Sequence, residues 1–139
     1  MNIERFIDIK ASVSEVWSLM STQEGMKQWF GSDIQIDMRI GGKYRLKNPE
    51  KTQVISGEIL ELISPETIVL SWYEENSDWV NPTRVMFRIE ETSGGVRVHV
   101  THSGFETIGK QGWKHTYTEY EKGWKRHHLL ENLKERAER

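Results

Sequence analysis

The chain contains no cysteine. That removes disulfides, thiolate nucleophiles and zinc–sulfur centres, and it fits the cytoplasm as the expected location. Long apolar runs are missing too. None nears the ~20 residues a helix needs to cross a bilayer, so no membrane insertion is expected. The opening segment, Met1 to Lys10, has no signal-peptide pattern. Nor is there an excess of one charge: 19 lysines and arginines stand against 21 aspartates and glutamates, a formal net charge of −2. The basic residues are scattered. Their densest group, Lys122, Lys125, Arg126, His127 and His128, reads as a solvated helix face, so nucleic acid is not an expected partner.

Aromatic residues, by contrast, are plentiful. Six tryptophans occur in 139 residues, and Trp, Tyr and Phe together make 10%. Such rings line protein cores and ligand cavities alike. The length suits one domain with a real core, and residues 1–139 are read as a single domain.

The longest helical pattern runs from Gly112 to Arg139 and contains no proline. At ~100° per residue, Thr116, Tyr120, Gly123, His127, Leu130, Leu133 and Ala137 share one face, with Tyr117 and Trp124 at its edge. A helix with one such flank must lie against something wide. Gly123 falls within that flank, where glycine costs ~1 kcal/mol relative to alanine. It marks either a tightly packed backbone or space left for a guest.

The rest of the chain supplies the wide surface. Ile3 to Ile9 alternates as a strand, with Arg5 on the parity of Ile3, Ile7 and Ile9. Ser12 and Glu15 form a capping box ahead of Val13, Val16, Trp17 and Met20, which gives a short amphipathic helix. Ser21 and Glu24 repeat the signature before Met26, Trp29 and Phe30, a second short helix ending at Gly31. Strands follow: Ile34 to Ile40, then Tyr44 and Leu46, Gln53 to Leu62, Ile68 to Trp72, Val85 to Ile89, and Val96 to His102. Turns are expected at Gly41-Gly42, Asn48-Pro49-Glu50, Ser64-Pro65-Glu66 and Glu91 to Gly95. Gly57 inside a strand marks a bulge or a close approach. Tyr73 to Thr83 is the one long irregular stretch, with Trp79 and Val80 as either a lid or an anchor. Short turns between successive strands mean antiparallel pairing. The expected class is α+β, a curved antiparallel sheet of about six to seven strands wrapped around a long C-terminal helix, with two short helices after the first strand.

In this order the chain resembles the helix-grip fold of the START-like, or SRPBCC, superfamily. Particular stretches are similar to the family named for activators of the Hsp90 chaperone ATPase. Ser14-Glu15-Val16-Trp17 and Glu24 to Gly31 resemble its helix pair. Gly57 to Glu66, running on to Leu70-Ser71-Trp72, resembles its central hairpin. Val85-Met86-Phe87, Gly95 to Val98, Thr101 to Phe105, and Gly123-Trp124 resemble the remainder. The resemblance implies a cavity between sheet and helix. It implies no single function, because the superfamily holds lipid carriers, hormone receptors, cyclases and oxygenase domains. Members of this family are mostly small stand-alone bacterial proteins.

None of the five histidines follows a zinc spacing such as HExxH, so neither a metal nor a cofactor is expected. His102 shares the parity of Val96, Val98 and Val100 and is expected to point inward, as a core histidine or a base. His127 is placed on the inner flank of the helix beside Tyr120. Glu61 shares the parity of Gly57 and Ile59, which points it inward, in need of a partner such as Arg45 or Tyr44. No catalytic triad, phosphate loop or carboxylate pair is visible, so catalysis has no positive signal.

The fold brings Trp29, Phe30, Tyr44, Trp72, His102, Trp113, Tyr117, Tyr120 and Trp124 toward one cavity, which the rings either line or fill. The first reading is a binding module for a small hydrophobic molecule, with Tyr120, Tyr117 and His102 supplying polar contacts. The second is a protein-interaction module like the chaperone activator, with an exposed patch involving Trp79 and Val80. The third is a cavity enzyme using His102 or Glu61.

Overall fold

The computed structural model describes residues 1–47, 53–126 and 128–139. The expected Asn48-Pro49-Glu50 turn and the placement of His127 lie outside them. Strand β1 (Ile3–Ile9) is followed by helices α1 (Val13–Met20) and α2 (Gln23–Lys27). Six strands come next: β2 (Gln35–Ile36), β3 (Lys43–Lys47), β4 (Val54–Ile63), β5 (Thr67–Glu74), β6 (Thr83–Thr92) and β7 (Gly95–Ser103). A 3-10 turn at Phe105–Thr107 leads to α3 (Trp113–Arg126) and α4 (Leu129–Ala137). The seven strands form one sheet in the order β1-β7-β6-β5-β4-β3-β2, every pair antiparallel.

The two short helices begin where their caps dictate. The Ser12 hydroxyl accepts from the Glu15 amide at 3.1 Å, and the Glu15 carboxylate accepts from the Ser12 amide at 3.3 Å. Thr22, rather than the expected Ser21, caps α2 by accepting from the Gly25 amide at 2.9 Å, and the helix ends at Lys27, short of the expected Gly31. These contacts satisfy amides that the first helical turn leaves unpaired. A side chain at Gly25 would run into the backbone of Ser18 and Leu19, so glycine lets α2 fold directly back on α1. Trp29 closes this bracket, its indole N–H donating to the Leu19 carbonyl at 2.8 Å.

Strand alternation sets which side chains face the helices. On β7, Val96, Val98, Val100 and His102 are buried while their neighbours are half-buried. On β3, Tyr44 and Leu46 are buried between exposed Lys43, Arg45 and Lys47. The strand expected over Ile34 to Ile40 shrinks to Gln35–Ile36. Beyond it the chain turns through Asp37 to Gly42, with Arg39 N–H bonded to the Asp37 carbonyl and Gly42 N–H to that of Arg39, both at 2.8 Å. These turn bonds interrupt the ladder, which resumes where the Gly41 N–H donates to the Ile59 carbonyl at 2.8 Å, and Ile40 is exposed.

The C-terminal helical stretch comes in two segments. His128 adopts a left-handed conformation, φ 54°, at the start of α4. From there α4 buries Leu130, Leu133 and Ala137. Lys134 Nζ donates to the Asp8 carbonyl at 3.2 Å, and the Lys10 amide donates to Glu138 at 2.8 Å. Arg136 also bonds Gln28, the residue that caps the C-terminal end of α2. Aliphatic burial and these polar ties fasten α4 to β1 and the helix bracket. The fastening of α3 is different in kind.

Candidate functional site

Helix α3, WKHTYTEYEKGWKR, contains no aliphatic residue. Thr116 and Trp124 are buried, and Trp113, Tyr117, Tyr120 and Gly123 are half-buried. The helix therefore meets the sheet through rings. Trp124 lies 6.4 Å from Trp72, 6.3 Å from Phe87 and 6.0 Å from the His102 ring. Tyr120 lies 5.2 Å from His102, 5.7 Å from Phe105 and 6.0 Å from Trp79. Beneath them, Phe30 contacts Trp29, Trp72 and Phe87 edge-on. Edge-to-face contacts of this kind add roughly 0.5–1.5 kcal/mol per pair beyond area burial. In this structure the expected wall residues Trp29, Phe30, Trp72, His102, Tyr120 and Trp124 form one contiguous cluster, ring against ring.

Two polar chains run through the cluster. In the first, Trp124 Nε1 donates to His102 Nδ1 at 3.0 Å. An indole nitrogen can only donate, so Nδ1 carries the lone pair and the ring proton sits on Nε2. Nε2 in turn donates to Thr83 Oγ1 at 2.7 Å, and Thr83 donates to the Trp72 carbonyl at 3.0 Å. Burial pushes the His102 pKa down to about 3. His102 is thus a neutral core histidine with both nitrogens engaged, and it has no lone pair left for a reacting proton. In the second chain, Trp72 Nε1 donates to the Tyr120 hydroxyl at 3.1 Å, which donates to Glu74 Oε2 at 2.7 Å. Burial, then the Glu74 charge, raises the Tyr120 pKa, which keeps the hydroxyl protonated.

The remaining expected residues take other places. Tyr44 is buried, and its hydroxyl donates to the Ser71 carbonyl at 2.7 Å. Gly57, its cross-strand partner, marks a close approach: a Cβ there would sit 2.1 Å from the same carbonyl oxygen. Burial raises the Tyr44 pKa. Tyr117 stacks edge-on to Phe105 at 5.5 Å, and Trp113, at the first turn of α3, has no ring neighbour among the described residues. Trp79 is buried at 5% exposure and its carbonyl accepts from the Tyr73 hydroxyl at 3.1 Å, so it anchors the loop. Val80, beside it, is 72% exposed. The expected Trp79–Val80 patch is therefore reduced to Val80.

Glu61 requires a correction. The pairing of β4 with β5 shifts between Ile59 and Glu61, which oppose Leu70 and Val69. The extra residue, Leu60, reverses the parity of everything after it. Glu61 consequently faces outward and pairs with Arg84 at 2.8 Å. Neither Arg45 nor Tyr44 reaches it; Arg45 pairs with Glu75 at 3.0 Å. No periodicity in the sequence signals that bulge, and Gly57, the nearest marker, lies three residues earlier.

A depression of about 520 Å³ opens over β3 and β4, lined by Gln35, Lys43, Arg45, Ser56, Glu58 and Ser71 among others. Tyr44 and Gly57 also line it, so this depression, open to solvent and edged by Lys43, Arg45 and Glu58, lies beside one of the expected ligand residues and apart from the ring cluster under α3. Among the described residues, no three His, Asp or Glu side chains are grouped to hold a metal ion, and no helix is long and apolar enough to cross a membrane.

A family model described as "Activator of Hsp90 ATPase homolog 1-like protein" matches residues 10–138. Solved structures similar in fold include the solution structure of an Aha1 dimer from Colwellia psychrerythraea, 22% identical, covering 99% of this chain and 96% of that one, TM-score 0.74. A Bacillus halodurans protein is also 22% identical, with 99% and 97% covered and a TM-score of 0.72. CalU16 from Micromonospora echinospora is 25% identical, with 95% and 71% covered and a TM-score of 0.66. No curated protein matches the chain.

Proposed function

Because the chain belongs to the Activator of Hsp90 ATPase homolog 1-like family and has its helix-grip fold, we propose that it is a non-enzymatic binding module for a small hydrophobic molecule. The guest lies between the concave face of the sheet and α3. Trp29, Phe30, Tyr44, Trp72 and His102 form the floor and sides, and Trp124 faces them from α3. Trp113, Tyr117 and Tyr120 form the mouth.

One observation carries this reading: the helix covering the concave face has no aliphatic side chain, whereas α4 is locked in by Leu130, Leu133 and Ala137. A lid held by rings exchanges ring–ring contacts for ring–guest contacts with little change in buried area. A lid held by interlocked leucines leaves a cavity when it moves, at a cost of several kcal/mol. The guest displaces Tyr117, Tyr120 and Trp124 with α3, at the expense of the Trp124–His102 and Tyr120–Glu74 hydrogen bonds, while α4 stays fixed.

Tryptophan fluorescence titrations with aromatic, isoprenoid and fatty-acid compounds test the proposal, read beside amide exchange of α3. Saturable quenching with changed exchange in α3 is the expected result. A flat response to the whole panel overturns it. The interaction-module reading has the family description behind it. It predicts no quenching by small molecules and a partner-dependent change at exposed apolar residues such as Val80. The enzyme reading has lost its acid–base groups: His102 is neutral with both nitrogens bonded, and Glu61 is ion-paired on the outer face.

A further inference from the structure

Arg5 interrupts the apolar row on the inward face of β1. It shares that face with Ile3, Ile7 and Ile9 and is paired across the ladder with buried Val100. The strand period of two leaves it no other face. Its Nη1 donates to the Glu4 carbonyl at 2.9 Å. Its Nε is buried and has no hydrogen-bond partner among the described residues. Asp8, an acid on the outer face of the same strand, is taken by Arg97 at 2.8 Å. Tyr117 on α3 lies within the field of Arg5. Partial burial and Glu121 raise the Tyr117 pKa, and the Arg5 charge opposes them. Among the described residues the Tyr117 hydroxyl makes long contacts alone, 3.4 Å to the Asn2 carbonyl and 3.4 Å to Glu121, both beyond the usual range.

A buried guanidinium N–H without an acceptor is costly, and in a folded protein it calls for a reason. With Nη1 held by the backbone, the Nε side of the fork is the free edge. Guanidinium edges pair bidentately with carboxylates, which is where arginine differs most from lysine. We infer that the molecule bound beneath α3 is an amphiphilic acid, its apolar body among the rings and its carboxylate on the Nε edge of Arg5, with the Tyr117 hydroxyl as a second donor. This rests on the binding-module reading and adds the chemical class of the ligand.

Decanoate and decanol share a chain and differ in the head group; naphthoate and naphthylmethanol do the same for a planar body. All four are titrated at neutral pH against the wild-type protein, Arg5→Met and Arg5→Lys, by calorimetry and tryptophan fluorescence. The wild type is expected to bind each acid about ten-fold or more tightly than its alcohol, the scale of a charge-assisted pair. Arg5→Met is expected to lose that preference, keep its alcohol affinity, and show no fall in unfolding midpoint, because it removes the orphaned N–H and keeps an apolar stem. Equal wild-type affinity for acid and alcohol, or an undiminished preference in Arg5→Met, overturns the inference and leaves the binding module standing. Failure of all four compounds to bind overturns both. Should Arg5→Met fail to fold, Arg5→Lys decides: a weakened acid preference supports the inference, and an unchanged one overturns it.

Discussion

Trp124 donates its indole N–H to His102 Nδ1 across 3.0 Å, joining α3 to β7 inside the core. That single bond fixes the imidazole tautomer. It directs the other ring nitrogen to Thr83 and leaves the histidine neutral.

Stability is therefore expected to fall in mild acid. The folded pKa of His102 is about 3, below its ordinary 6.5. Between these values the unfolded chain binds the extra proton, so stability is complete above about pH 6.5 and declines as pH drops toward 3. From about pH 7 to pH 5 the loss attributable to His102 is about 2 kcal/mol. Urea unfolding of the wild type and His102→Gln at both pH values measures it. The variant is expected to lack that part of the slope, and equal slopes would refute it.

Trp124→Phe keeps a ring in the cluster but removes the donor to Nδ1. A buried acceptor left unsatisfied costs about 1–3 kcal/mol. Chemical denaturation is expected to show a loss in that range, and the histidine nitrogen shifts are expected to move at Nδ1.

Tyr120→Phe strips the hydroxyl that accepts from Trp72 and donates to Glu74. The site is only half-buried, so water replaces part of the lost bonding and the stability cost is about 1 kcal/mol. If Tyr120 stands at the mouth of the binding site, apolar-ligand affinity changes in this variant more than stability does. Parallel titration and unfolding separate the two effects.

Gly57→Ala places a Cβ against the Ser71 carbonyl oxygen. Backbone cannot yield as a side-chain tip does, and the Tyr44 hydroxyl bonds the same oxygen. The expected destabilisation is about 1–3 kcal/mol or more, the range of core overpacking, measured as a lowered urea midpoint.

Glu61→Ala is the contrasting case. Its ion pair with Arg84 is about half exposed on both sides, 48% and 52%, and such pairs contribute roughly 0–1 kcal/mol. Denaturation is expected to show a change within that range, with apolar-ligand titrations unaltered. A large loss of binding would return Glu61 to the site.

Much of this architecture was legible in the chain. Ser12 and Glu15 announce α1, because a capping box is a local device. Alternation over Val96 to His102 places the histidine inward, and the aromatic excess marks the concave face. The bulge at Leu60 and the left-handed turn at His128 were not legible, because neither residue type demands them. Arg5 was on the right parity from the start, but that its Nε lacks a partner depends on which side chains fold over it.

The sequence by itself determined the order of elements, the antiparallel pairing and which strand faces are apolar, since periods of two and of 3.6 are properties of the local backbone. Only the tertiary structure decided that Glu61 faces outward, that His102 is neutral, and that α3 is held by rings while α4 is held by leucines. Those facts depend on distant segments meeting: pairing register sets the face of a side chain, and desolvation by remote neighbours sets the charge of a buried group.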